Sequence, residues 1–214
     1  MQLISVTPAR RSGVLILHFS DNSVLQLLST DFVKLNLKKN AHLSDSLLVS
    51  VRRCSVRFLL TSYALRQVAI SPKIEVVLRP KLKSQLRQII SKYRLPPMFV
   101  SPALIDEVIG YLHLRRLLNV PDFVDSQIRR HPHLSRRALI ARLHQFGVDR
   151  EQLQSLPSPQ DENTKIKYFL CKKHLTRQDL TDNKTRNKII ASLLRKGFSL
   201  NQVKSVIDAV VKKQ

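Results

Sequence analysis

Residues Thr185 to Val210, TRNKIIASLLRKGFSLNQVKSVIDAV, read as one helix, a sharp stop and a second helix. Ile189, Ile190, Leu193 and Leu194 recur at helical spacing, which makes one side of the first helix apolar. Arg195 and Lys196 fill its last turn, where the helix dipole favours cations, and Gly197 can adopt the left-handed conformation that ends a helix. Ser199 is placed to cap the second helix, whose apolar stripe is Val203, Val206, Ile207 and Val210. Phe198, just before the cap, is positioned to pack back as a hydrophobic staple.

Fifty positions earlier the pattern returns. Arg136 corresponds to Arg186, Leu139 to Ile189, Ile140 to Ile190, Leu143 to Leu193, Gly147 to Gly197, Asp149 to Ser199 and Leu153 to Val203. The matches include the glycine stop and the capping residue after it, so more than general helicity repeats. A small helical module used more than once is the signature of a repeat architecture.

The start of the chain differs in kind. Leu3–Val6, Val14–Phe19 and Ser23–Leu28 are short β-prone runs, and Asp21-Asn22 marks a tight turn between the last two. A three-strand meander rarely stands alone, so it is expected to pack on the helices that follow. Thr30 or Asp31 opens a short helix, Ser44 caps a longer one, and Phe58, Leu59, Tyr63, Ala64 and Leu65 continue a helical face. Ser71-Pro72 starts the next helix with proline at its first position; Pro80 either kinks that helix or divides it. Ser101-Pro102 starts a third, Ser135 and Asp149 cap two more, and Leu156–Asn163 is a polar, proline-rich linker. The expected fold is mainly α: tandem three-helix repeats forming an elongated solenoid, with a small N-terminal β-strand extension. Its divisions are the extension with short helices over 1–53 and three-helix repeats over 54–118, 119–157 and 158–214.

Charge is the strongest compositional signal. The 214 residues carry 37 Lys and Arg against 15 Asp and Glu, a net of +22. The four segments hold +4, +8, +2 and +8 in turn. Such an excess repels itself in a folded domain, and a polyanionic partner, single- or double-stranded DNA, is its natural counterpart. Three cation groups are candidates for nucleic-acid binding. Arg79, Lys81, Lys83 and Arg87 cluster around Pro80, where a solvated helix face is the competing explanation. Arg129, Arg130, Arg136 and Arg137 surround a capped helix start, whose free amides bind phosphate while arginines add bidentate contacts. Lys172, Lys173, Lys184, Arg186 and Lys188 lie within reach of one phosphate backbone.

Other classes receive little support. Cys54 and Cys171 form no CxxC pair and the seven histidines are scattered, so neither a disulfide framework, a metal site nor a cofactor is expected. No glycine-rich phosphate loop, paired-carboxylate motif or nucleophile elbow suggests an enzyme. The sequence has no apolar run of the ~20 residues that cross a bilayer and no signal-peptide pattern, so a soluble, cytoplasmic monomer is expected, without a membrane partner. A helix-turn-helix transcription regulator is the rival reading; on the last helix only Asn201 and Gln202 form a pair suited to base edges.

Four stretches carry a family resemblance. Ser71–Leu82, SPKIEVVLRPKL, resembles the RP-R-x-E-x-E-L-R-x-K-L signature of RecX, the regulatory protein of the RecA recombinase. Leu118–Val124, LNVPDFV, is similar to the family's L-D-D-x-x-F-A, with Asn119 and Val120 in place of its acidic pair. Leu143–Val148, LHQFGV, resembles E-L-x-x-K-G-I, and Leu194–Ser199, LRKGFS, resembles L-x-x-(K/R)-G-F-S. Asp31–Lys39 is similar to the N-terminal extension that some members carry. The resemblance implies a helical protein that binds the RecA filament, and often DNA itself, and modulates recombination without catalysing a reaction.

Overall fold

The structure is a computed structural model that describes residues 1–153 and 160–212. The chain divides into two compact units, Met1–Leu118 and Asn119–Gln214.

In the first unit, β1 (Leu3–Pro8), β2 (Val14–Phe19) and β3 (Val24–Leu28) form an antiparallel meander in that order. The turn at Asp21-Asn22 works as its residue types dictate: Asn22 takes φ 62°, and the Asp21 carboxylate accepts the Ser23 N–H at 2.9 Å. The pairs Leu3–Phe19 and Leu17–Leu25 sit opposite each other in the ladder, and all four side chains are buried. Helices α1 (Ser29–Lys34) and α2 (Asp45–Ile70) follow. The Ser44 hydroxyl caps α2 by accepting the Leu47 N–H at 3.3 Å. No glycine or proline interrupts residues 45–70, so α2 runs straight through the boundary expected at 53/54. It packs on β3, on α3 (Glu75–Lys92) and on α4 (Pro102–Leu114), giving sheet and helices one shared hydrophobic core.

Two details of the helix starts differ. Helix α3 begins at Glu75, not at Pro72, because Ile74 and Lys73 are buried in the approach and the Lys73 ammonium reaches the Ser71 hydroxyl at 2.7 Å. Pro80 stands inside a single α3, on its exposed side. Ser101-Pro102 starts α4 as expected, with the Ser101 hydroxyl accepting the Ala103 N–H.

The second unit holds α5 (Val120–Arg130), α6 (Arg136–Gln145), a 3₁₀ turn (Arg150–Leu153), α7 (Gln160–Lys172), α8 (Arg177–Thr181), α9 (Asn183–Arg195) and α10 (Leu200–Lys212). The helix expected after Asp149 is therefore only a short 3₁₀ turn as far as Leu153, and residues 154–159, with the boundary expected at 157/158, lie outside the described residues. The second half of the expected linker, 160–163, is already helical. Helix α8 is an addition: Thr176 and Asp179 form a reciprocal capping box, and Asp182 then caps α9 by accepting the Thr185 N–H at 2.9 Å. Leu194 and Val210, expected on apolar faces, are 41% and 39% exposed.

The repeat is visible at the level of single hydrogen bonds. At the end of α6 the Gly147 N–H reaches His144 O and the Val148 N–H reaches Leu143 O; at the end of α9, Gly197 reaches Leu194 O and Phe198 reaches Leu193 O. The two glycines have φ 76° and 89°. The same closure ends α3, α4 and α7, but with Arg94, Arg116 and His174 in the left-handed position, at φ 49°, 54° and 51°. In all five an apolar residue follows, Leu95, Leu117, Val148, Leu175 or Phe198, and its packing holds the turn.

Candidate nucleic-acid interface

The four cations expected around Pro80 do not form one face. Arg79, Lys83 and Arg87 recur every fourth residue of α3, whereas Lys81 turns toward the Gln67 side chain, 3.5 Å away. Arg79 is neutralised by two carboxylates, Glu75 and Asp106, each at 2.7 Å. His113 joins the cluster 2.9 Å from the second Glu75 oxygen, and the bonds from His113 and Arg79 hold the Glu75 carboxyl below the usual carboxylate range. Arg79 thus ties α3 to α4 and is not a free cation for DNA; Lys83 and Arg87 are exposed.

In the second unit Arg129 and Arg130 are exposed in the last turn of α5, and Arg136 and Arg137 open α6. The phosphate site expected at the start of α6 is already filled. The Ser135 hydroxyl accepts the Ala138 N–H at 3.1 Å, and the buried Glu162 carboxylate, from α7, accepts the Arg136 N–H at 2.6 Å. The other Glu162 oxygen accepts a hydrogen bond from Gln202 of α10 at 3.2 Å. An internal carboxylate therefore plays the part that sequence reasoning assigned to a phosphate.

The cations converge instead around the loop His131-Pro132-His133 and the facing ends of α7 and α9. Burial lowers the pKa of both histidines; Arg142, His133 and Arg130 press further on His131, and Lys196 and Lys172 on His133. Lys196 lies over the Phe169 ring, 5.5 Å from its centroid. Beside that ring is a cleft of about 180 Å³ lined in part by Lys173, Lys188, Thr185 and Ser192. Lys172, Lys173 and Lys188, expected from sequence, are thus joined by Lys196 and His133, which were not. Lys196 comes close because its carbonyl accepts the Ser135 N–H at 3.0 Å, a contact sixty-one positions apart that no local pattern encodes. Lys184 is exposed at the start of α9, while Arg186 is taken up by Asp208 at 2.6 Å.

Comparison with known proteins bears on this unit directly. The family model described as RecX, third three-helix domain, matches residues 160–207, which span α7, α8, α9 and most of α10. This last helical block is similar to the third three-helix domain of RecX. The fold is also similar to a crystal structure of regulatory protein RecX, with a TM-score of 0.57 and 14% identity over 97% of this chain and 100% of that one. A crystal structure of RecX from Lactobacillus salivarius aligns over 72% of this chain and 96% of that one, at 18% identity and a TM-score of 0.47. No curated protein sequence matches. The sequence match is confined to that block, and the likeness to the first crystal structure is one of fold.

Within this block Gln202 is occupied, since it bonds Glu162 and its side-chain oxygen accepts from the Ser199 hydroxyl at 3.0 Å. This removes half of the pair on which the helix-turn-helix rival relied. The Glu162 contact also yields a test. Glu162→Ala leaves the Arg136 amide and the Gln202 amide without their buried partner and is expected to cost about 1–3 kcal/mol. The same change opens the start of α6 to an external anion, so DNA affinity is expected to hold or rise while the urea midpoint falls.

Proposed function

We propose that the chain is a RecX-like regulator that binds RecA–DNA filaments through the cations of its second unit and modulates RecA recombinase and ATPase activity in recombination and DNA repair. The observation that carries the reading is the cation cluster around Phe169, where Lys196 lies over the ring and Lys173 and Lys188 line the adjoining cleft, in the block that matches the third three-helix domain of RecX. Fixed positive charge of this density attracts a phosphate backbone by releasing its counterions, without regard to sequence. The protein acts by occupying the filament, with no bond made or broken and no cofactor, as a cytoplasmic monomer built on tandem three-helix units. Among the described residues no helix is long and apolar enough to cross a membrane.

RecA ATPase on single-stranded DNA, measured while this protein is titrated in, tests the proposal. A change in rate at sub-stoichiometric protein is expected; an unaltered rate at equimolar protein would sink it. A nuclease footprint confined to one DNA sequence would instead favour the transcription regulator.

A further inference from the structure

The first unit carries a groove that the cation field does not use. It has a volume of about 780 Å³ and runs between the start of α1, the middle of α2 and the last turns of α4. Phe58 and Leu65 line it from α2, and Tyr111 and Leu114, which are 38% and 86% exposed, line it from α4. Arg53 pairs with Glu107 across the groove, and Arg57 lies 3.4 Å from the buried Asp31. Arg11 faces the same space 3.4 Å from the Ser62 hydroxyl and, among the described residues, pairs with no carboxylate. The lining therefore holds three guanidinium groups against two carboxylates.

Gly110 adds an independent observation. It lies inside α4, where glycine costs up to ~1 kcal/mol relative to alanine. Its φ is not left-handed, and a Cβ added there would meet nothing within 4 Å. Neither the backbone nor the packing of this chain requires a glycine at that position, yet Gly110 lines the groove. A bare stretch of helix is what lets a second backbone approach closely. Tyr111 and Leu114 belong to the groove's own lining and leave its apolar side open to solvent.

We propose that this groove receives an amphipathic helix of a partner protein, seated against Gly110 with its apolar stripe on Phe58, Leu65, Tyr111 and Leu114, and carrying a carboxylate to Arg11. The surplus guanidinium selects an acidic helix over a basic one, and Gly110 admits its backbone.

The test uses the full chain and three synthetic helical peptides of about 15 residues, four turns long. One has a leucine stripe flanked by glutamates, the second replaces the leucines by serine, and the third replaces the glutamates by lysine. With only four glycines in the chain, the Gly110 amide gives a readily assigned NMR signal. The acidic leucine peptide is expected to shift it and the other two are not. Gly110→Leu and Arg11→Glu are each expected to weaken that peptide about tenfold or more, as blocking a central contact does. Gly110→Ala and Gly110→Leu are expected to raise or preserve the melting temperature. The proposal is overturned if the serine peptide binds as well as the leucine one, if Gly110→Leu leaves affinity unchanged, or if no peptide shifts Gly110. It is likewise overturned if Gly110→Ala melts lower, since the glycine would then serve internal packing.

Discussion

Gly197→Ala is expected to destabilise the second unit by about 2–5 kcal/mol, against about 1–2 kcal/mol for Gly147→Ala. Both glycines sit at positive φ, so both substitutions carry the left-handed penalty. Their surroundings are where they part. A Cβ on Gly147 would meet nothing within 4 Å, whereas one on Gly197 would lie 2.5 Å from the Ser135 hydroxyl, 2.7 Å from the Ala138 Cβ and 3.2 Å from the Ala138 backbone nitrogen. The hydroxyl cannot simply rotate away, because it caps α6, and the backbone nitrogen cannot move without moving the helix. Urea midpoints of the two variants, with slopes to show that two-state behaviour holds, measure the difference. Equal losses would mean that the turn after α9 does not press on α6.

Replacing Lys172, Lys173 and Lys188 together by Ala is expected to reduce the slope of log K against log salt by roughly 2–3 and to lower affinity for DNA at low salt by about two orders of magnitude. All three side chains are exposed, so the melting temperature should stay near that of the parent. His133 supplies a second readout. Its pKa is held down by burial and by Lys196 and Lys172. A bound polyanion offsets those cations, so the histidine takes up a proton on binding, and affinity should increase as the pH falls through the ordinary histidine value of about 6.5. An unchanged salt slope in the triple variant, with a His133 signal indifferent to DNA, would assign these cations to solvation alone.

Local chemistry was legible and tertiary partnership was not. Ser44, Ser101, Ser135 and Ser199 each cap the helix expected of them, since a hydroxyl before an apolar-periodic run is a short-range signal. The meander and its Asp21-Asn22 turn were equally plain. What escaped was whatever depends on distant residues. Nothing near Arg79 in sequence announces Asp106, nothing near Arg186 announces Asp208, and nothing near Arg136 announces Glu162. With few acidic residues in the chain, each one removes a cation or a helix start from the surface that composition alone would offer to DNA. The helix-ending turns after α3, α4 and α7 escaped for another reason: glycine was the cue, and those turns use arginine and histidine.

Those three turns have an evolutionary implication. Glycine at 94, 116 or 174 would relieve a conformational penalty of roughly 1 kcal/mol at each corner. Instead exposed side chains stand there, and Arg94 and Arg116 place a cation at the carbonyl end of a helix, where a positive group is favoured. The two arginine corners thus give up thermal robustness and gain charge density. A laboratory selection for heat resistance alone would be expected to convert these corners to glycine first, and survivors that lost Arg94 and Arg116 would be expected to hold nucleic acid less tightly than their parent.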